Sequence, residues 1–145
     1  MLRRIALLAI VCSIGFIAGC PMKSETMSLL DEKVAVVKIS KSKGDGGINE
    51  DYFLSFENPA ELEFLQKAIT TAEKASDKIV PNPDYDVLVE YGSKSDGGLP
   101  THGLHLTLGK KGQASQFMYI EDDMVYLTTP EVTNKLRELI LDTKS

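Results

Sequence analysis

Residues 104–127 read LHLTLGKKGQASQFMYIEDDMVYL, and this stretch decides the fold. Leu104, Leu106 and Leu108 alternate with polar residues, which is the period-two pattern of a strand with one buried face. Turn sequences at 109–112 and 121–123 separate this strand from two further apolar segments, at 114–120 and 124–127. Connections this short favour antiparallel pairing of successive strands. The stretch therefore predicts a three-stranded antiparallel meander.

The rest of the chain supplies further strands and two helices. Apolar and β-branched runs predict strands at 34–39, 52–56 and 85–91. Asn58 offers an N-cap oxygen and Pro59 suits a first helical position, so a helix is expected from Pro59 to about Ser76. Thr129 and Pro130 begin a second helix in the same way. The order ββα-ββββα predicts an α+β fold, with a single antiparallel sheet of about five to six strands and two helices packed on one face.

Composition narrows the classes of function. The chain has 145 residues, 43% of them apolar and 26% charged, which suits one globular domain. Its formal net charge of −5 argues against nucleic acid as a partner, because binding to phosphates needs a basic surface. The chain has no Trp, two Cys and two His, so few residues are available for nucleophilic or metal chemistry.

The N-terminus has the pattern of an export signal. Arg3 and Arg4 precede an uncharged apolar run at 5–17, whose helix of about 20 Å would be too short for a bilayer core of about 30 Å. This arrangement is typical of a secretory signal peptide. The segment Ile17-Ala18-Gly19-Cys20 resembles the lipobox of bacterial lipoproteins. That resemblance implies cleavage after Gly19 and a diacylglyceryl group on Cys20.

The resulting domain prediction has three parts. Residues 1–19 are the lipoprotein signal peptide, 20–32 the lipidated N-terminus and a polar tether, and 33–145 a single α+β domain. Two acyl chains on Cys20 suffice for stable anchoring. The expected location is therefore the extracytoplasmic face of the cell membrane, with the membrane contacted through the lipid anchor. Cys12 leaves with the signal, so no thiol remains for a disulfide or a metal.

The histidines are weak candidates for metal binding. His102 and His105 form an H-x-x-H motif, but residues three apart on a strand point to opposite faces. We interpret them as histidines on the exposed side of a half-buried strand.

Two glycine-rich segments and an acidic cluster are the other candidates. SKGDGGI at 42–48 and SKSDGGL at 93–99 are similar, and Asp45 or Asp96 could contact a cation. Asp-Gly-Gly is also turn chemistry, which is the favoured interpretation. The acids at 121–123, with Asp84 and Asp86 elsewhere, lack the spacing of a calcium loop. No cofactor, metal site or catalytic residue is predicted, and Cys20 is the single predicted site.

The mature chain also resembles the small YhfM-like lipoproteins of Gram-positive bacteria. The similarity rests on 83–89 (PDYDVLV), 104–109 (LHLTLG) and 125–128 (VYLT) leading into Thr133 and Leu136. It covers roughly residues 33–141, with the first helix where that family has one. The resemblance implies the fold and the location, and it brings no catalytic residues.

These observations favour a non-catalytic binding or interaction module whose partner is an unknown protein or small molecule. A concave pocket lined by Tyr52, Tyr85, Tyr91 or Tyr119 would indicate a small ligand. The alternatives are an accessory or inhibitor domain for an envelope enzyme and, with less support, a hydrolase whose site has no recognisable motif.

Overall fold

The described part of the chain forms one seven-stranded antiparallel sheet with two helices. This computed structural model describes residues 23–44, 46–77, 82–92 and 100–142. The strands are β1 (Val34–Lys41), β2 (Tyr52–Phe56), β3 (Glu73–Lys74), β4 (Tyr85–Tyr91), β5 (Thr101–Thr107), β6 (Gln116–Tyr119) and β7 (Tyr126–Leu127), and the helices are α1 (Pro59–Thr70) and α2 (Pro130–Leu141). The sheet order is β2-β1-β4-β5-β6-β7-β3. The predicted α+β fold is confirmed, with one strand more than expected.

Both helices cover the same face of the sheet. Val87 and Val89 of β4 belong to the same buried cluster as Leu65 of α1 and Leu136 of α2. The helices also approach each other, since Lys135 Nζ lies 4.8 Å from the centre of the Phe64 ring. This shared core includes Leu104 and Leu106, which the alternation in the sequence assigns to the buried face.

Helix α1 ends earlier than its sequence predicts. It stops at Thr70, not near Ser76, with Thr71 as its C-cap. The hydroxyls of Thr70 and Thr71 donate to the carbonyls of Gln66 and Lys67, at 2.9 and 2.7 Å. The next residues then pair with β7 as the two-residue strand β3, which accounts for the additional strand. Pairing with a sheet edge thus outweighs the helical preference of this segment.

Residues 25–30 form a strap that belongs to the folded domain. Met27 is 1% exposed and donates its backbone N–H to the carbonyl of Ala72 at 3.0 Å. Thr26 forms a β-bridge with Glu73, and Lys74 binds Glu25 through an ion pair of 2.8 Å. The prediction of a polar tether up to residue 32 is therefore wrong for the strap. Met27 of the strap is buried in the core, and no sequence pattern predicts its burial.

Part of the second face of the sheet is covered by residues 46–51 of the β1–β2 connection. Gly103 of β5 marks the contact, because an added Cβ would lie 2.7 Å from Ile48 Cδ1 and 2.8 Å from Ile120 Cγ1. Asn49 of the connection is 8% exposed. A side chain at position 103 would therefore make Ile48 and Ile120 shift, so this part of the face is covered although neither α1 nor α2 packs there. Within the described segments, no helix has the length and apolar character needed to cross a membrane.

Candidate functional site

His102 and His105 lie on opposite faces of β5, as the strand geometry predicts. His105 pairs in register with Asp86 on the covered face, whereas His102 pairs with Val89 on the helix face. The expectation that both lie on the exposed side is wrong, since His105 is 6% exposed and His102 is half-buried on the helix face. The β1–β2 connection covers this part of the sheet, and no sequence pattern indicates that it does.

Asp86 and His105 form a buried pair. His105 Nδ1 lies 2.9 Å from Asp86 Oδ1, and their side chains are 7% and 0% exposed. The second oxygen, Asp86 Oδ2, accepts the backbone N–H of Asn49 at 2.9 Å. Asn49 in turn donates its side-chain amide to the carbonyl of Lys41. The pair therefore ties β4, β5 and the β1–β2 connection together.

Ser40 lies beside this pair on the same face. It is the register partner of Asp86 on β1, and it is fully buried. Its Oγ has no hydrogen-bond partner among the described residues. Ser40, Asp86 and His105 thus form a cross-strand row, with the carboxylate in the middle.

The row has part of the chemistry of a catalytic triad. In such sites a carboxylate holds one ring nitrogen of a histidine, and the other nitrogen acts as a base. The Asp86–His105 geometry matches the first of these two contacts. The hydroxyl of Ser40, however, lies on the far side of Asp86 and forms no bond to the ring. The pair is also buried, with Asn49 of the β1–β2 connection in contact with Asp86.

The remaining acidic candidates have structural roles. Asp84 Oδ2 accepts the N–H of Leu108 at 2.8 Å. Asp122 Oδ1 accepts the N–H groups of Asp123 and Met124, next to Glu121 with its φ of 66°. Among the described residues, no group of three or more His, Cys, Asp or Glu is placed to bind a metal. Cys20, Asp45 and Asp96 lie outside the described residues.

The tyrosines nominated as pocket residues make internal contacts instead. Tyr91 Oη accepts the N–H of Leu30 at 3.3 Å and lies 2.6 Å from His102 Nδ1. Tyr119 Oη accepts the N–H of Ser28 at 2.8 Å and donates to its carbonyl at 2.5 Å. Both hydroxyls therefore hold the strap. Burial raises the pKa of Tyr91, while the hydrogen bond from Leu30 opposes this rise.

The other two nominated tyrosines contact lysines. Lys41 Nζ lies 4.1 Å from the ring centre of Tyr85, and Lys38 Nζ lies 5.5 Å from that of Tyr52. Lys38 also forms an ion pair of 2.7 Å with Glu90. The hydrogen bond to Glu90 raises the pKa of Lys38, and burial raises that of Tyr52.

A groove lies between the start of β1 and helix α1, and we call it the β1–α1 groove. The β1–β2 ladder begins at Val37, so the edge of β1 at 34–36 continues past the end of β2. The groove has a volume of about 630 Å³. Its apolar lining comes from Val34, Ala35, Val36, Pro59 and Leu62. No motif in the sequence marks this place, because two segments distant in sequence form it.

Carboxylates surround the apolar lining of the groove. Glu32, Glu57 and Glu63 lie along it and are exposed, and Lys33 is the single lysine among the described residues that line it. The groove thus combines an apolar floor, a strand edge and a predominance of negative charge. This combination suits an extended peptide segment better than a small polar metabolite.

Comparisons with known proteins bear on the fold alone. No protein-family model and no curated protein matches the sequence. Among solved structures, the chain is similar to a thioesterase-like protein from Clostridium sporogenes ATCC 15579, with a TM-score of 0.58. The match covers 75% of this chain and 95% of that protein at 11% identity. The two proteins therefore share an architecture.

Proposed function

We propose that the protein is a lipid-anchored lipoprotein of the extracytoplasmic face of the cell membrane and acts there as a non-catalytic binding module. The β1–α1 groove carries the binding part of the proposal, because it is an open apolar depression of about 630 Å³ beside a strand edge. The signal peptide pattern and the lipobox ending at Cys20 support the anchor. The resemblance to YhfM-like lipoproteins agrees with the anchor.

The strap adds a geometric consequence to this proposal. Its first residue, Glu25, is five positions after Cys20, a distance of about 18 Å at most in extended chain. An anchor at Cys20 would therefore hold the domain close to the bilayer. Glu25 lies at the β3 edge, and β1 is five strand positions away, or about 24 Å across the sheet. The groove would thus lie away from the attachment point and accessible to a partner.

The anchor is tested by intact-mass analysis and membrane fractionation of the wild type and two cysteine variants. The wild type should carry diacylglyceryl on a chain that begins at Cys20, and it should sediment with membranes. Cys20→Ala should remain uncleaved or leave the membrane fraction. Cys12→Ala is the matched control and should behave as the wild type. An unmodified thiol at Cys20 in the wild type contradicts the proposal.

A hydrolase is the second candidate, because the Asp86–His105 pair has the geometry that orients a catalytic histidine. The solved structure with a similar fold is described as thioesterase-like. An acyl-thioester hydrolysis assay separates the two candidates. The binding module should release thiol no faster than a blank. Turnover that is lost in both His105→Gln and Asp86→Asn, with the fold retained by circular dichroism, would favour the hydrolase.

A further inference from the structure

We infer that the β1–α1 groove binds an extended, lysine-rich peptide segment of a partner protein, which adds to the edge of β1 as a further strand. This inference rests on the proposed binding function and names the chemistry of the partner. It follows from three properties of the groove: its strand edge, its floor and its charge.

The strand edge sets the conformation of the partner. Strand β2 pairs with β1 from Val37 onward, whereas β4 pairs with β1 from Val34. The first residues of β1 therefore have a neighbouring strand on one side and the groove on the other. A peptide in extended conformation can continue the sheet there through main-chain hydrogen bonds.

The floor sets the spacing of side chains in the partner. Val34 and Leu62 line the groove, are 4% and 8% exposed and belong to the core cluster, whereas Val36 pairs in register with Glu90 on the opposite face of the sheet. Successive side chains of an added strand point to opposite faces. An alternating segment can therefore place apolar residues towards helix α1 and its other residues towards solvent and the groove rim.

The rim sets the charge of the partner. Among the described residues, the carboxylates of Glu32, Glu57 and Glu63 and the ammonium group of Lys33 line the groove. Complementary charge speeds the encounter of the two partners and disfavours acidic competitors. This electrostatic attraction weakens as salt is added. An alternating lysine–valine segment satisfies both floor and rim. A second copy of this chain would bring the same acidic rim, so self-association through the groove is disfavoured.

The test is a fluorescence anisotropy titration of the full chain in detergent micelles with a labelled peptide of alternating lysine and valine. The wild type should bind this peptide with a Kd that rises with added salt. It should not bind a matched peptide of alternating glutamate and valine. Glu63→Lys should raise the Kd at least about fivefold, since it reverses a charge on the rim. Glu50→Lys makes the same charge change on the exposed β1–β2 connection and should alter the Kd less than about twofold.

A second variant tests the strand edge. Ala35 lies where the register of β1 with β4 shifts, so proline is tolerated better there than inside a ladder. Ala35→Pro should abolish binding while circular dichroism and thermal unfolding show a folded chain. If Ala35→Pro does not fold, the comparison of Glu63→Lys with Glu50→Lys tests the inference by itself.

Three outcomes would overturn the inference. Equal effects of Glu63→Lys and Glu50→Lys would show binding through overall charge. No binding of the lysine–valine peptide by a folded wild type would exclude this partner chemistry. Concentration-dependent dimerisation that Ala35→Pro abolishes would assign the edge to a second copy. None of these outcomes affects the membrane and mass measurements, which test the anchor. If a groove variant such as Glu63→Lys recovers the same partner from native membranes as the wild type, the protein is still a binding module, but its binding site lies outside the groove.

Discussion

Asp86 is fully buried on β4, and its two oxygens accept hydrogen bonds from two different parts of the chain. Oδ1 contacts His105 on the neighbouring strand, and Oδ2 contacts the backbone of Asn49 in the β1–β2 connection. The adjacent hydroxyl of Ser40 is equally buried and has no partner within the described segments. At the residue scale, Asp86 and Ser40 therefore have opposite effects on the stability of the fold. A buried polar group with hydrogen-bond partners stabilises the folded state, and one without a partner destabilises it.

Two substitutions measure this difference. Asp86→Ala should lower the free energy of unfolding by about 3–5 kcal/mol, because His105 and the Asn49 N–H lose their acceptor. Ser40→Ala should raise it by about 1 kcal/mol, because it removes an unsatisfied buried hydroxyl. Urea denaturation of both variants checks the contrast. A lower free energy of unfolding for Ser40→Ala would contradict this expectation and show that the hydroxyl makes a stabilising hydrogen bond.

At the element scale, α1 and the strap contribute side chains to one core. The side chain of Leu65 is 3% exposed in α1, and Met27 is 1% exposed in the strap. Helical periodicity makes Leu65 recognisable as a core residue, whereas Met27, like Leu29 and Leu30, lies in a short segment without helical periodicity. The strap is held by Tyr91 and Tyr119 as well as by its pairing with β3.

Helix α1 should respond to substitution as a packed helix. Leu65→Ala removes a buried side chain and should cost about 2–5 kcal/mol of stability. Lys67→Ala removes an exposed side chain and should cost under about 1 kcal/mol. Denaturant titration of the two variants gives the comparison. Equally mild effects would show that α1 is not packed on the sheet.

The strap is tested by a parallel pair. Met27→Ala should lower the free energy of unfolding by about 2–5 kcal/mol, through lost burial and a residual cavity. Lys23→Ala lies just before the strap, is exposed, and should leave stability within about 0.5 kcal/mol of the wild type. If both changes are neutral in thermal unfolding, residues 25–30 act as the tether that the sequence predicts.

At the scale of the whole molecule, several buried or bonded groups hold their protons more tightly in the folded state. Burial raises the pKa values of Tyr52, Tyr91 and Tyr126 above 10.0. The hydrogen bond to Glu90 raises the pKa of Lys38 above 10.5. The unfolded chain therefore releases these protons first as the pH rises.

Stability should consequently be lost at alkaline pH. The stabilisation from these groups is complete below about pH 10 and declines as the pH rises through their folded pKa values. Urea midpoints measured from neutral to strongly alkaline pH check this. Tyr91→Phe should lower stability at neutral pH, because the strap loses its hydrogen bond, and should reduce the alkaline decline. An equally steep decline in that variant would exclude Tyr91 as a contributor.

The sequence by itself determined the helix starts, the antiparallel meander and the α+β class, because these depend on local properties. Asn58 caps α1 by accepting the N–H of Ala60, and Thr129 caps α2 by accepting that of Val132. Alternation likewise assigns Leu104 and Leu106 to the buried face. Each of these features needs only residues within a few positions of one another.

The tertiary structure alone decided the end of α1, the packing of the strap, the burial of His105 and the β1–α1 groove. Each results from contact between segments far apart in the chain: Met27 with Ala72, Asn49 with Asp86, and β1 with α1. Long-range contacts of this kind leave no periodic pattern in either segment. Local preference is worth a fraction of a kcal/mol per residue, whereas the burial of one apolar side chain contributes several times as much. The free energy of these contacts therefore determines where the helix stops and which polar side chains are buried.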